Sequence, residues 1–137
     1  MSLPFLAEGV RLARRPKIHS ISPILSVRDV PVSVAFYVRY LGFRKVFVME
    51  DHSYGVVDME GHVIHFTKAP DLASLRATRS GVAIYVSVRD IDPLWERVYR
   101  AAPPTRLRSL ETKPWGMREF HVMDPDGCLI RFGEEHG

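Results

Sequence analysis

Two side chains, His65 and Arg131, occupy the same place in two copies of one pattern. The pattern D-x-x-G-x-x-I-x-F runs from Asp58 to Phe66 and again, 66 residues later, from Asp124 to Phe132. An imidazole there can move a proton or bind a metal near neutral pH. A guanidinium offers a rigid fork of donors to a carboxylate or phosphate. Buried in a concave face, Arg131 needs a counter-charge, either an anionic group of a ligand or a protein carboxylate such as Glu50 or Glu119. Two readings of His65 stand side by side, a hydrogen-bonded interior histidine and a ligand contact. His62 and His65 spell H-x-x-H, but three residues along a strand point to opposite faces, so the pair does not chelate one ion. Tyr85 brings a phenol, and with His65 it could serve acid/base chemistry. Trp115, on a loop flanked by Pro114 and Gly116, suits stacking on a planar ligand or anchoring the loop itself.

A second repeat says which elements hold these groups. Ser26-Val27-Arg28-Asp29 returns letter for letter as Ser87-Val88-Arg89-Asp90. Two landmarks recurring in one order mark a duplicated unit. Residues 18–27 read as a half-buried strand. Asp29 then caps a helix with Pro31 in its first turn, which ends at Leu41 and Gly42. Strands follow at 43–50, 54–57 and 62–67. The polar stretch 69–80 reads as a linker. The order then repeats as a strand at 81–88, a helix capped by Asp90 and carrying Pro93 that ends near 102, and strands at 106–110, 118–123 and 128–133. The expected fold is therefore α+β, two tandem βαβββ modules (18–68 and 81–135) forming one domain, with helices outside a concave mixed sheet.

Strand parity sorts the faces. Ile64 and Phe66, with Ile130 and Phe132, belong under the helices, and Cys128 shares their side. His65 and Arg131 then point the other way, together with Ser22, Ile24, Ala83, Tyr85 and Ser87. Tyr54 and Phe120 fall at equivalent places in the two copies and are read as core residues. The predicted inner surface is concave and mixed in polarity, as ligand sites are.

The chain has 137 residues and a net charge of +3. Arg11, Arg14, Arg15 and Lys17 against Glu8 account for all of that excess, so residues 1–17 form a basic arm on a neutral body. That distribution argues against a nucleic-acid partner and for a solvated tail or a segment packed on a neighbouring subunit. No apolar run is long enough for a membrane helix, and no secretory signal pattern opens the chain. With one cysteine and no intramolecular disulfide, the expected location is cytoplasmic.

The residues from Asp29 to Phe43, with Phe36-Tyr37 and Leu41-Gly42-Phe43, then Asp90-Ile91-Asp92, Pro114-Trp115-Gly116-Met117-Arg118-Glu119-Phe120 and Asp124-Pro125-Asp126-Gly127, resemble the vicinal oxygen chelate superfamily. This is the glyoxalase, bleomycin-resistance and dioxygenase group. The resemblance covers about residues 20–135, and the Pro114-Trp115-Gly116 loop is most similar to bleomycin-resistance binding proteins. It implies a metal held by four positions, which fall here on Ser22, His65, Ala83 and Arg131. Ala83 has no donor, Ser22 is a poor one, and Arg131 repels a cation. Expected, then, is a metal-independent small-molecule binding protein with no cofactor, a homodimer with no nucleic-acid or membrane partner. Its ligand contacts would come from His65, Arg131, Tyr85, Trp115, Ser22 and Glu50, and its ligand would be antibiotic-like or an anionic aromatic. The alternative is a metal-dependent lyase, isomerase or dioxygenase of the same group using other ligands, with His121, Glu119, Glu50 and His52 as candidates. The resemblance further implies acidic drug-sequestering relatives and cationic bleomycin-type drugs. A neutral body with an inward arginine points away from bleomycin itself.

Overall fold

In the computed structural model, which describes residues 16–136, the chain adopts the expected α+β fold with its two βαβββ units. The first unit comprises β1 (Ile24–Val27), α1 (Val30–Leu41), β2 (Arg44–Val48), β3 (Tyr54–Met59) and β4 (His62–Lys68). A second helix, α2 (Leu72–Gly81), leads into β5 (Ala83–Ser87), α3 (Ile91–Ala101), β6 (Leu107–Thr112), β7 (Met117–Met123) and β8 (Leu129–Glu135). The strands make two separate four-stranded sheets, ordered β1-β4-β3-β2 and β5-β8-β7-β6. In each, the first strand runs parallel to the last and the remaining pairs are antiparallel.

Three local expectations change. The opening strand is shorter than residues 18–27 because pairing starts only at Ile24, opposite His65; among the described residues no strand pairs with Ile18 or Ile21, which are exposed. The stretch 69–80 joins the two units as a helix rather than as an irregular linker. Asp71 accepts from the Ser74 backbone N–H as a side-chain cap, and the buried Thr78 donates to the Ser26 carbonyl, seating α2 against β1. Asp90 is left-handed (φ 60°) and caps nothing with its side chain. Glu134 does that work from β8, accepting from the N–H groups of Asp90 and Ile91 at 2.8 and 3.1 Å. Asp29 caps α1 as read, through the Val32 N–H.

The core belongs to both units at once. Leu25, Val27, Ile64 and Phe66 from the first sheet, Val34, Tyr37 and Leu41 from α1, and Ile91, Val98, Phe120, Ile130 and Phe132 from the second unit form one buried cluster. The helices therefore lie between two sheets rather than outside one concave sheet as expected, because each sheet turns its helix side toward the common core. A polar latch crosses the same seam. The turn after β7 sends Asp124 to the Tyr37 hydroxyl (2.8 Å) and Asp126 to the Arg28 N–H (3.2 Å). Asp124 is itself held by the backbone N–H groups of Asp126 and Cys128. Burial, then the neighbouring Asp124, pushes the Tyr37 phenol well above its usual range, so it stays a donor. Tyr37→Phe leaves a buried carboxylate short of one donor, and a loss of about 1–3 kcal/mol is expected in urea unfolding.

Candidate binding faces

The consequence of a shared core is that the sheet sides carrying His65 and Arg131 turn away from each other. The chain does not close them into a single cup. Tyr85 and His65 accordingly sit on different sheets, and the acid/base pairing of those two residues is not assembled within one chain.

The face of the first sheet is largely apolar. Ile24 (59% exposed) pairs across to His65, Val56 lies beside it on β3, and Phe47 (39% exposed) follows on β2. The Tyr54 hydroxyl meets His65 Nδ1 at 2.7 Å, and Phe47 stacks against the Tyr54 ring. Tyr54 thus belongs to the open face and not to the core. The letters of the repeat align Tyr54 with Phe120, but the ladders do not. Met59 pairs with His62 around a tight two-residue turn, whereas Met123 pairs with Leu129 around five residues. The longer turn slips the register by one, so that Gly55, opposite Phe66, is the true counterpart of Phe120, opposite Phe132. Glu119 and His121 then correspond to Tyr54 and Val56. Ser22 is half-buried just before β1.

On the second sheet the polar groups converge on Glu119. Its carboxylate is buried (1% exposed) and accepts from the Tyr85 hydroxyl, the Trp115 indole N–H and His121 Nε2, each at 2.9 Å. Burial alone would raise the Glu119 pKa. The hydrogen bonds from His121, Trp115 and Tyr85 outweigh it and hold the carboxyl below its ordinary value. Tyr85 moves the opposite way, pushed up to about 12 by desolvation and then by its bond to Glu119. Nothing in the letters of the sequence marked Glu119 as this hub. Its alternation with Phe120 was the available signal, since β7 pairs regularly with β8 and the register shift lies in β6, between Arg108 and Glu111. Arg131 lies between Tyr85 and His121 in the ladders, and its Nε is buried without a hydrogen-bond partner among the described residues.

Gly133 makes room for this arrangement. A Cβ there would overlap the Tyr85 hydroxyl and its ring carbon. In Gly133→Ala the phenol is expected to leave Glu119, and the tyrosine that titrates near 12 should return toward 10; absorbance titration at 295 nm, with Tyr85→Phe to identify the step, checks this.

Glu50 lies apart from these groups. It is exposed at the far end of β2, in a cleft of about 560 Å³ between that strand and α1, with His52 and Lys45. The donor set does not fit a divalent cation. His65 and Arg131 are on different sheets, Ala83 offers no donor atom, and among the described residues no three His, Cys, Asp or Glu side chains gather where an ion would sit.

The family described as the Glyoxalase/Bleomycin resistance protein/Dioxygenase superfamily matches residues 17–132. Among solved structures, the bleomycin-binding protein from bleomycin-producing Streptomyces verticillus, complexed with copper(II)-bleomycin, is 28% identical with a TM-score of 0.70, covering 90% of this chain and 99% of that one. The bleomycin resistance determinant encoded on the transposon Tn5 is 23% identical with a TM-score of 0.71, over 86% of this chain and 98% of its own. TioX from Micromonospora sp. ML1 is 23% identical with a TM-score of 0.68, over 84% and 97%. The last two likenesses are of fold. No match is found among curated protein sequences.

Proposed function

Because this chain belongs to the Glyoxalase/Bleomycin resistance protein/Dioxygenase superfamily, we propose that it is a metal-independent small-molecule binding protein whose cup is completed by a second copy of itself. One observation carries this reading. The two sheet faces are open, carry ligand-type chemistry, and point in opposite directions from a shared core. A two-fold pair would set the first-sheet face of one copy against the second-sheet face of the other, giving two cups per dimer. His65, Tyr54 and Phe47 would then come from one chain, and Arg131, Tyr85, Glu119 and Trp115 from its partner. The apolar side chains left exposed, Ile24, Phe47, Tyr85 and Trp115 among them, support a surface meant to be covered.

The likeness to the Streptomyces verticillus protein supports an antibiotic-sized ligand. Charge argues against bleomycin as that ligand, since Arg106, Arg108 and Arg131 border the second face and a cationic drug would meet them. Titration with bleomycin, followed by tryptophan fluorescence, is expected to give no tight stoichiometric endpoint. The reading as a whole is tested with N-phenyl-1-naphthylamine, a neutral fluorophore, on protein treated with a chelator. Saturable binding at about one site per chain is expected, consistent with one cup per subunit. Dye that binds only when a divalent metal is restored would defeat it.

A further inference from the structure

The two faces differ in one respect that specifies the ligand. The first sheet presents Ile24, Phe47 and Tyr54, while the second presents Arg106, Arg108 and Arg131 around a cavity of about 310 Å³ whose wall also includes His121, Met123 and Leu129. Among the described residues none of these three arginines has an ion-pair partner. Glu119, the buried carboxylate of this face, already accepts from Tyr85, Trp115 and His121. Glu111, further along β6, is bonded to Lys113 and feels Arg108 only at a distance. Three guanidiniums therefore line one small cavity, and among the described residues none of them is in a direct ion pair.

Such a cluster is unfavourable when left empty. Like charges repel, and Arg131 is part buried with its Nε lacking any acceptor. An oxyanion in the cavity removes both costs, because a guanidinium fork donates two parallel hydrogen bonds to a carboxylate, phosphate or sulfonate. Resting on the reading of these faces as a binding cup, we propose that Arg131, with Arg106 and Arg108, forms an oxyanion subsite. The ligand is then an amphiphile, with an anionic head at the second sheet and an apolar or aromatic body against Phe47, Tyr54 and Ile24. The His121 ring, held through Nε2 by Glu119, forms part of the wall that the head meets.

The test uses two dyes of one skeleton. 8-Anilinonaphthalene-1-sulfonate carries an anionic head that N-phenyl-1-naphthylamine lacks. The sulfonate is expected to bind the wild-type protein at least about tenfold more tightly than the neutral dye. Arg131→Gln should weaken it by roughly ten- to a hundredfold, the range of a hydrogen-bonded charge, and should weaken the neutral dye far less, so that the ratio of the two affinities collapses. Arg108→Gln, at an exposed position that the fold does not need, should weaken the sulfonate severalfold and keeps the test open if the first variant misfolds. Benzoate or phenyl phosphate should displace the sulfonate dye, and benzyl alcohol should not. Equal affinity of the sulfonate dye for wild type and for either well-folded variant overturns the subsite, as does equal displacement by benzyl alcohol. Failure of the neutral dye to bind at all would instead count against the cup itself.

Discussion

Glu119→Ala is expected to destabilise the protein by about 2–4 kcal/mol, the range for removing a buried hydrogen-bonded charge, and to dismantle the second face while doing so. Three donors converge on that carboxylate, and it is buried beneath them. Its loss leaves His121 without the contact that orients its ring and frees the Trp115 indole, which is otherwise 60% exposed and held mainly by this bond. Chemical denaturation reads the first effect and the emission of Trp115 reads the second. The isosteric Glu119→Gln should cost less, about 1–2 kcal/mol, since the amide keeps an acceptor and fills the same space. It should also change the pH dependence. The folded-state pKa of Glu119 lies below its usual 4.5, so its contribution is fully present above that value and is lost as pH falls through the lower folded pKa. Wild-type stability is therefore expected to decline on acidification below pH 4.5 more steeply than that of the glutamine variant. Parallel acid unfolding curves would remove Glu119 from this account.

Mixing experiments should have the second large effect. Under the proposed pairing, a chain with its first-sheet face disabled by Phe47→Asp and a chain with its second-sheet face disabled by Arg131→Gln would each form homodimers in which both cups are damaged. After unfolding, mixing at equal amounts and refolding, half the dimers are mixed. Each mixed dimer holds one intact cup and one with both defects. Binding of the sulfonate dye is expected to recover from almost nothing to about a quarter of the wild-type capacity, the share set by random two-fold pairing. A cup built within one chain would recover nothing, because no chain in the mixture would carry two good faces.

Much of this was legible in the letters. The repeated D-x-x-G-x-x-I-x-F stretch marked β4 and β8, and parity separated His65 and Arg131 from Ile64 and Ile130 because one strand step reverses the side. Asp29, Pro31 and Gly42 marked both ends of α1 through side-chain capping and a left-handed stop. Other features depend on distances that letters do not carry. The helix α2 has few apolar positions and is held by Asp71 and Thr78, one at its start and one reaching across to β1. The place of Tyr54 depends on turn length, two residues after β3 against five after β7, which displaces one ladder while leaving the motif spacing intact. The role of Glu119 arises from three partners drawn from β5, the loop before β7 and β7 itself. Whether His65 and Arg131 share a cup depends on which sides of the two sheets turn inward, and parity ranks the sides of each sheet separately.

The proposed pairing of the two faces across a dimer has a thermodynamic consequence. When half of a site comes from each of two molecules, ligand and protein concentration become linked variables, and every molecule bound draws subunits together. Apparent affinity should fall as the protein is diluted below the dissociation constant of the pair, and added ligand should restore the dimer at that dilution. A cell holding little of this protein would then hold it mostly as separate chains with idle surfaces. A rise in the ligand would itself assemble the receptor that captures it, giving a response steeper than a preformed pocket allows.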